Sequence, residues 1–204
     1  MRSSGGMLIL AVVGLAVLLA VPASAQDALT DTVPLNARYA QSLDRAWRAG
    51  VIVGYPDCTF KPDQILTRAE LCEGFNRLLD VVRITQGIAF EDDLDPTYAR
   101  GVRDHWGFHA WERLLNLKLV DHRPMQLVRD MDAGVWRLDF AELAVHTLRA
   151  YGLIPTDLTP VEIAIGDVMV RQADGKVHFC SPMPRWEFAV AMSNLLAKVS
   201  AAGG

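Results

Sequence analysis

Three arginines in this chain each stand two residues ahead of an acid: Arg68 before Glu70, Arg137 before Asp139 and Arg185 before Glu187. An apolar stripe at helical spacing follows each of them, so each arginine falls in the first turn of a predicted helix. A cation there opposes the positive end of the helix dipole. A guanidinium held against that preference is suited to a carboxylate ligand, because free backbone N–H groups at a helix start and a bidentate fork converge on one anion. The competing reading, in which each arginine pairs with its neighbouring acid on the surface, would add little stability. Recurrence at three helix starts favours ligand contact.

Other candidate chemistry is sparse. His105 and His109 are four residues apart on one helix face, but with no third ligand at a convincing spacing they read as surface or capping histidines rather than a metal pair. The acidic cluster Glu91, Asp92, Asp93 and Asp95 lacks the regular oxygen-ligand spacing of a calcium loop and reads as a solvated connector. No Ser/His/Asp order, phosphate loop or paired-cysteine motif is present, and nothing in the spacing requires a hydrolytic carboxylate pair such as Asp92 with Glu112. The expectation is a binding protein, not an enzyme, with no cofactor and no metal. A formal net charge of −4 argues against a general nucleic-acid binder, which would show a basic patch.

The elements that must position the arginines can be read in order. Tyr39, Leu43, Ala46 and Trp47 recur at helical spacing, and Gly50 stops that helix. Gly54-Tyr55-Pro56-Asp57 is a turn signal. Thr67 and Glu70 are spaced as a capping box, which predicts a helix beginning at Arg68, with Leu66 and Leu71 as its hydrophobic staple. A second unit opens at Asp104-His105-Trp106 and continues through Phe140, Leu143, Ala144, Leu148 and Tyr151 to a stop at Gly152. In a third, Ala173 to Phe188 aligns without a gap on Pro56 to Leu71. Pro155 to Gly166, with two prolines, lacks a good helical stripe, and Val168 to Phe179 could form a small hairpin across Asp174-Gly175.

The first 25 residues read as a signal peptide: Arg2 supplies the charged start, Met7 to Val21 is apolar, and Ala23-Ser24-Ala25 is a small-residue cleavage site. That run is shorter than the ~20 residues that span a bilayer, so no transmembrane segment is expected after cleavage. Of the three cysteines, Cys72 falls near the apolar stripe as a buried thiol, whereas Cys58 lies in a loop; any pairing with Cys180 stays open.

The stretch Gly50 to Leu71, with its Gly54-Tyr-Pro-Asp57 turn and its Thr67-Arg-Ala-Glu70 helix start, resembles the S-layer homology repeat of bacterial cell-wall-binding modules, and the two later units resemble it less closely. The resemblance implies a mainly α fold in which three helix-loop-helix repeats pack pseudo-threefold around a central helical bundle. The division is a signal peptide at 1–25, a linker at 26–37, repeat 1 at 38–84, a connector at 85–103, a divergent repeat 2 at 104–152, repeat 3 with a degenerate first helix at 153–200, and a tail at 201–204. It also implies an exported protein of the cell wall or envelope. The implied partner is an acidic secondary cell-wall polysaccharide, often pyruvylated, or another peptidoglycan-associated glycan. Carried over by position, the ligand-binding role falls on Arg68 with Gly54, Tyr55 and Lys61 beside it, on Trp106 as the aromatic opening repeat 2, and on Arg137 and Arg185. Trp136 and Pro184 stand where the capping Thr belongs, and Cys58 stands where the family has Gly; if that position needs a positive φ, Cys58 is strained or the loop is reshaped. The alternative is an adaptor whose repeats bind another envelope protein.

Overall fold

The computed structural model describes residues 31, 37–87, 104–120, 130–154, 161 and 165–202. The signal peptide, the acidic connector at 91–95 and most of the segment from Pro155 to Ala164 lie outside the described residues. The described chain is mainly helical: α1 Ala37–Arg48, α2 Arg68–Gln86, α3 Phe108–Asn116, α4 Arg137–Ala150 and α5 Arg185–Ala202.

Local chemistry sets the helix ends. Thr67 accepts from the Glu70 N–H at 3.3 Å, and the Glu70 carboxylate accepts from the Thr67 N–H at 3.0 Å, so α2 starts where its capping box places it. Gly50 and Gly152 take φ of 73° and 67° just beyond α1 and α4, a region open to Gly at little cost. Helix α2 passes the Ile84 boundary and ends at Gln86, with Gly87 at φ 66°. The expected hairpin is a turn instead: Gly175 N–H donates to Gln172 O at 2.9 Å and Gln172 N–H to Lys176 O at 2.9 Å, and no ladder follows.

The three loop segments that precede α2, α4 and α5 meet in a closed ring of backbone hydrogen bonds. Leu66 N–H donates to Met183 O at 2.9 Å, Met183 N–H to Val135 O at 2.9 Å, and Val135 N–H to Leu66 O at 2.8 Å. Their side chains are fully buried. Each helix start then docks on a neighbouring loop. Arg68 and Ala69 donate to the carbonyls of Ala133 and Met131, Arg137 and Leu138 to Ser181 and Phe179, and Arg185 and Trp186 to Gln64 and Pro62. Amides that a helix leaves unpaired at its N-terminus are thereby satisfied across the molecule.

Below the ring, Phe140 joins the helices by packing on Phe75 at 5.5 Å and on Phe188 at 6.0 Å between ring centroids. Burial of each such ring is worth about 1.5–3 kcal/mol. Helix α3 packs on α2, where Arg113 bonds the side chains of Asn76 and Asp80. Gly107 lets it approach, since a Cβ there would lie 2.6 Å from that of Ala69. Helix α1 packs on α5, with Tyr39 4.7 Å from Trp186 between ring centroids. The first of the described helices therefore closes on the last.

Candidate functional site

The structure gives the three arginines different surroundings. Arg185 is buried, and its guanidinium donates to Phe60 O at 2.7 Å and Val53 O at 3.0 Å and pairs with Glu70. It also lies over the Tyr55 and Phe60 rings, at 4.6 and 4.8 Å. Arg137 is buried too, and grips both oxygens of the fully buried Glu187 at 2.6 to 3.0 Å. The acid in each pair comes from another helix start, not from two residues downstream.

Helix-start chemistry explains the differences between the acids. Pro184 has no N–H to offer, so Glu187 gives both oxygens to Arg137. Glu70 divides its carboxylate, one oxygen to the Thr67 N–H and the other to Arg185 and to the Tyr55 hydroxyl at 2.7 Å. Asp139 accepts the Trp136 N–H at 2.8 Å, but Trp136 has no side-chain acceptor with which to complete a capping box. The expectation of free N–H groups at these helix starts is corrected by the ring, whose loop carbonyls already occupy the first two amides of each helix.

Arg68 lines a cavity of about 120 Å³ with Cys72, Trp111, Asp139 and His146. Gly54, Tyr55, Trp106 and Arg185 line a different one, of about 400 Å³. The two groups expected side by side are therefore split. The arginine beside the Gly54-Tyr55 turn is Arg185 rather than Arg68, because each helix start is carried onto a neighbour's loop and not its own. Lys61 remains next to the turn, its ammonium 4.0 Å from the Tyr55 ring centroid and 3.5 Å from an Asp57 oxygen.

The larger cleft is mostly apolar. Val53 and Trp106 stand on its walls with 41% and 59% of their surface exposed, enough for a ligand to cover. On its floor lie Glu70, Glu73, Gly74 and Arg77, one face of α2 at helical spacing. Arg77 pairs with Glu73 through its Nε at 2.6 Å. A Cβ on Gly74 would come within 2.4 Å of the Phe188 ring, so the bare floor is what admits that ring. Burial and the Glu70 hydrogen bond push the Tyr55 hydroxyl up to about 12. Arg77 could have been found from the 3.6 periodicity; Phe188 could not, since it arrives from the other end of the chain, and Arg185, a candidate from its helix start, could not be placed beside Tyr55 for the same reason.

The loop under the cleft recurs in the third unit. Tyr55 N–H donates to Thr59 O and Cys58 N–H to Tyr55 O, as Gln172 donates to Lys176 and Gly175 to Gln172. Cys58 has φ 60° where Gly175 has 78°, so of the two alternatives the loop keeps its shape and Cys58 takes the left-handed conformation. Asp57 faces Lys61 as Asp174 faces His178. Hydrogen bonds from Thr59 and from His178, respectively, hold the two aspartates below the usual carboxylate range. Sequence reasoning missed Asp31, whose carboxylate accepts the N–H groups of Phe60 at 2.6 Å and Lys61 at 2.7 Å and so sits on the first loop.

His105 accepts the Gly107 N–H in the turn ahead of α3 and faces Asp132, while His109 turns to Glu112. Cys72 is a buried thiol pushed up to about 12 by desolvation, and Cys58 and Cys180 are exposed and unbridged. No described helix is long and apolar enough to cross a membrane.

Residues 30–72 match the family model of the S-layer homology domain, so that stretch of the chain is similar to this family. Domains of this family are non-catalytic modules that anchor proteins to the cell envelope. Among its relatives, the outer membrane protein SlpA of Deinococcus radiodurans is 47% identical over 66 residues, which are 31% of this chain and 6% of that protein. The outer membrane protein alpha of Thermotoga maritima is 35% identical over 65 residues, 32% of this chain and 16% of that one. The matched part is thus a small fraction of either relative.

Proposed function

We propose that this chain is an exported envelope module of three S-layer homology repeats, arranged pseudo-threefold, that holds an acidic cell-wall glycan in the cleft between the Gly54-Tyr55 turn and Trp106. The observation that carries the reading is the exposed Trp106 facing an apolar cleft of about 400 Å³. A sugar ring offers C–H groups to an indole face and hydroxyls to the rim, and a volume of this size falls in the range of small-molecule sites. Lys61 and the terminal nitrogens of Arg77 are the cations that would meet a carboxylate such as a pyruvate ketal. The closed ring of Leu66, Val135 and Met183 and the matching loops support three repeats.

Arg137 and Arg185 are assigned to clamping repeats together and Arg68 to the smaller cleft. Co-sedimentation with purified sacculi stripped of protein tests the reading. Trp106→Ala should weaken binding about tenfold or more, Arg68→Ala should do less, and mild-acid removal of ketals should weaken the wild type. Binding that survives Trp106→Ala but not Arg68→Ala would move the site to the start of α2. Binding indifferent to every one of these changes would favour the adaptor reading, which the exposed Ile65, Trp136 and Leu138 around the ring support.

A further inference from the structure

The segments 63–67, 132–136 and 180–184 lead into α2, α4 and α5, each as a turn followed by a short extended stretch. Antiparallel bridges pair Ile65 with Pro184, Thr67 with Gly134 and Trp136 with Pro182. Neighbouring side chains of an extended stretch point to opposite sides. Leu66, Val135 and Met183 turn inward and are fully buried, so Ile65, Gly134, Trp136 and Pro182 form an outer face over them. Trp136 and Ile65 keep 51% and 39% of their surface exposed there, enough for a partner to cover. Gly134 lies close against Ile65, where a Cβ would come within 3.0 Å of Ile65 Cγ2, and so joins the two segments in one patch. None of these four residues lines the cleft at Trp106 or the cavity at Arg68.

The charge at this face has one sign. The charged residues of the three segments are Asp63 and Asp132, both exposed and each two positions ahead of an outer-face residue. Asp132 keeps 78% of its side chain exposed although His105 stands 3.2 Å away. The arginines that follow are turned elsewhere: Arg137 and Arg185 are buried on Glu187 and Glu70, and Arg68 reaches the Asp130 carbonyl at 3.4 Å. An exposed indole beside carboxylates favours a cation, which gains from the ring face as well as from the acids. A second copy of the chain fits poorly. It would bring the same aspartates to the contact, and a few apolar side chains fall short of the roughly 800 Å² per partner that a standard stable interface buries.

We infer that this outer face docks a basic segment of another protein, with an apolar side chain seated against Ile65 and Trp136 and flanking Arg or Lys groups meeting Asp63, Asp132 and the indole. Short basic segments suit a patch of this size, because one apolar anchor and a few charge pairs need little area. The inference goes beyond the glycan reading and does not depend on it, since the cleft at Trp106 stays open when the face is covered.

The test is fluorescence anisotropy of a labelled peptide, Arg-Arg-Leu-Leu-Arg-Arg, titrated with the full chain, beside a counterpart carrying Glu for each Arg. The basic peptide should bind, the acidic one should not, and salt at about 0.5 M should weaken the complex. Trp136→Ala should weaken binding about tenfold, with its melting temperature unchanged because the side chain is half exposed. Asp63→Asn should weaken it about two- to fivefold, whereas Asp44→Asn, the same loss of charge on α1, should leave it as it is. Absence of binding, equal binding of both peptides, indifference to Trp136→Ala, or an equal loss with Asp44→Asn would each overturn the inference. Self-association of the chain in sedimentation velocity that disappears with Trp136→Ala would also overturn it, by making the face a contact between copies.

Discussion

Glu70 completes the helix cap, accepts the Tyr55 hydroxyl and neutralises Arg185. The hydroxyl it accepts is held protonated to about 12, against ~10 for a free tyrosine. The folded state thus keeps a proton that the unfolded chain has already lost. The stability contributed by that difference is whole below the ordinary tyrosine range and drains away as pH rises through 12. Difference titration of phenolate absorbance between the wild type and Tyr55→Phe should show the late ionisation, and the variant should lose less stability on raising the pH from about 10 to 12. Glu187→Ala should cost about 3–5 kcal/mol in urea melts, since it strands a buried guanidinium; Arg137→Met combined with Glu187→Leu should lie much nearer the wild type.

At the scale of the element, α2 can be perturbed at its cap or at its contact with α3. Thr67→Ala removes the side-chain acceptor for the Glu70 N–H and should lower stability by about 1 kcal/mol. Gly107→Ala inserts a methyl against the Ala69 side chain and backbone and should cost about 1–3 kcal/mol in thermal or urea unfolding. Ala69→Gly in the same chain should return part of that loss, because it removes the atom met at 2.6 Å, the closest contact. If the two changes added without coupling, the close approach of the helices would not be the cause.

The whole molecule is tied together at its ends and at its ring. With α1 packed on α5 and the starts of α2, α4 and α5 capped by carbonyls of distant loop segments, these helices do not satisfy their first amides locally. A fragment of residues 38–84 should therefore show little helix by circular dichroism and no cooperative melt. A full chain lacking α1 should expose Trp186 to water, read as a red shift of its fluorescence and a lower midpoint in urea. Independent folding of the fragment would mean that the ring is dispensable.

The sequence by itself determined the local events: the cap at Thr67, the start at Arg68, the stops at Gly50 and Gly152, the buried thiol of Cys72, and the ungapped likeness of the first and third loops. Each depends on residues within a few positions of one another, where periodicity and capping chemistry act directly. Tertiary structure decided which copy meets which. Internal similarity says that Arg68, Arg137 and Arg185 occupy like positions, but not that each helix start will be carried onto another copy's loop. Arg185 consequently fills the place beside Tyr55 that adjacency in the chain would assign to Arg68. The reason is that hydrogen-bond satisfaction is global: the amides of one helix start are met by carbonyls tens of residues away, a pairing that no local pattern encodes.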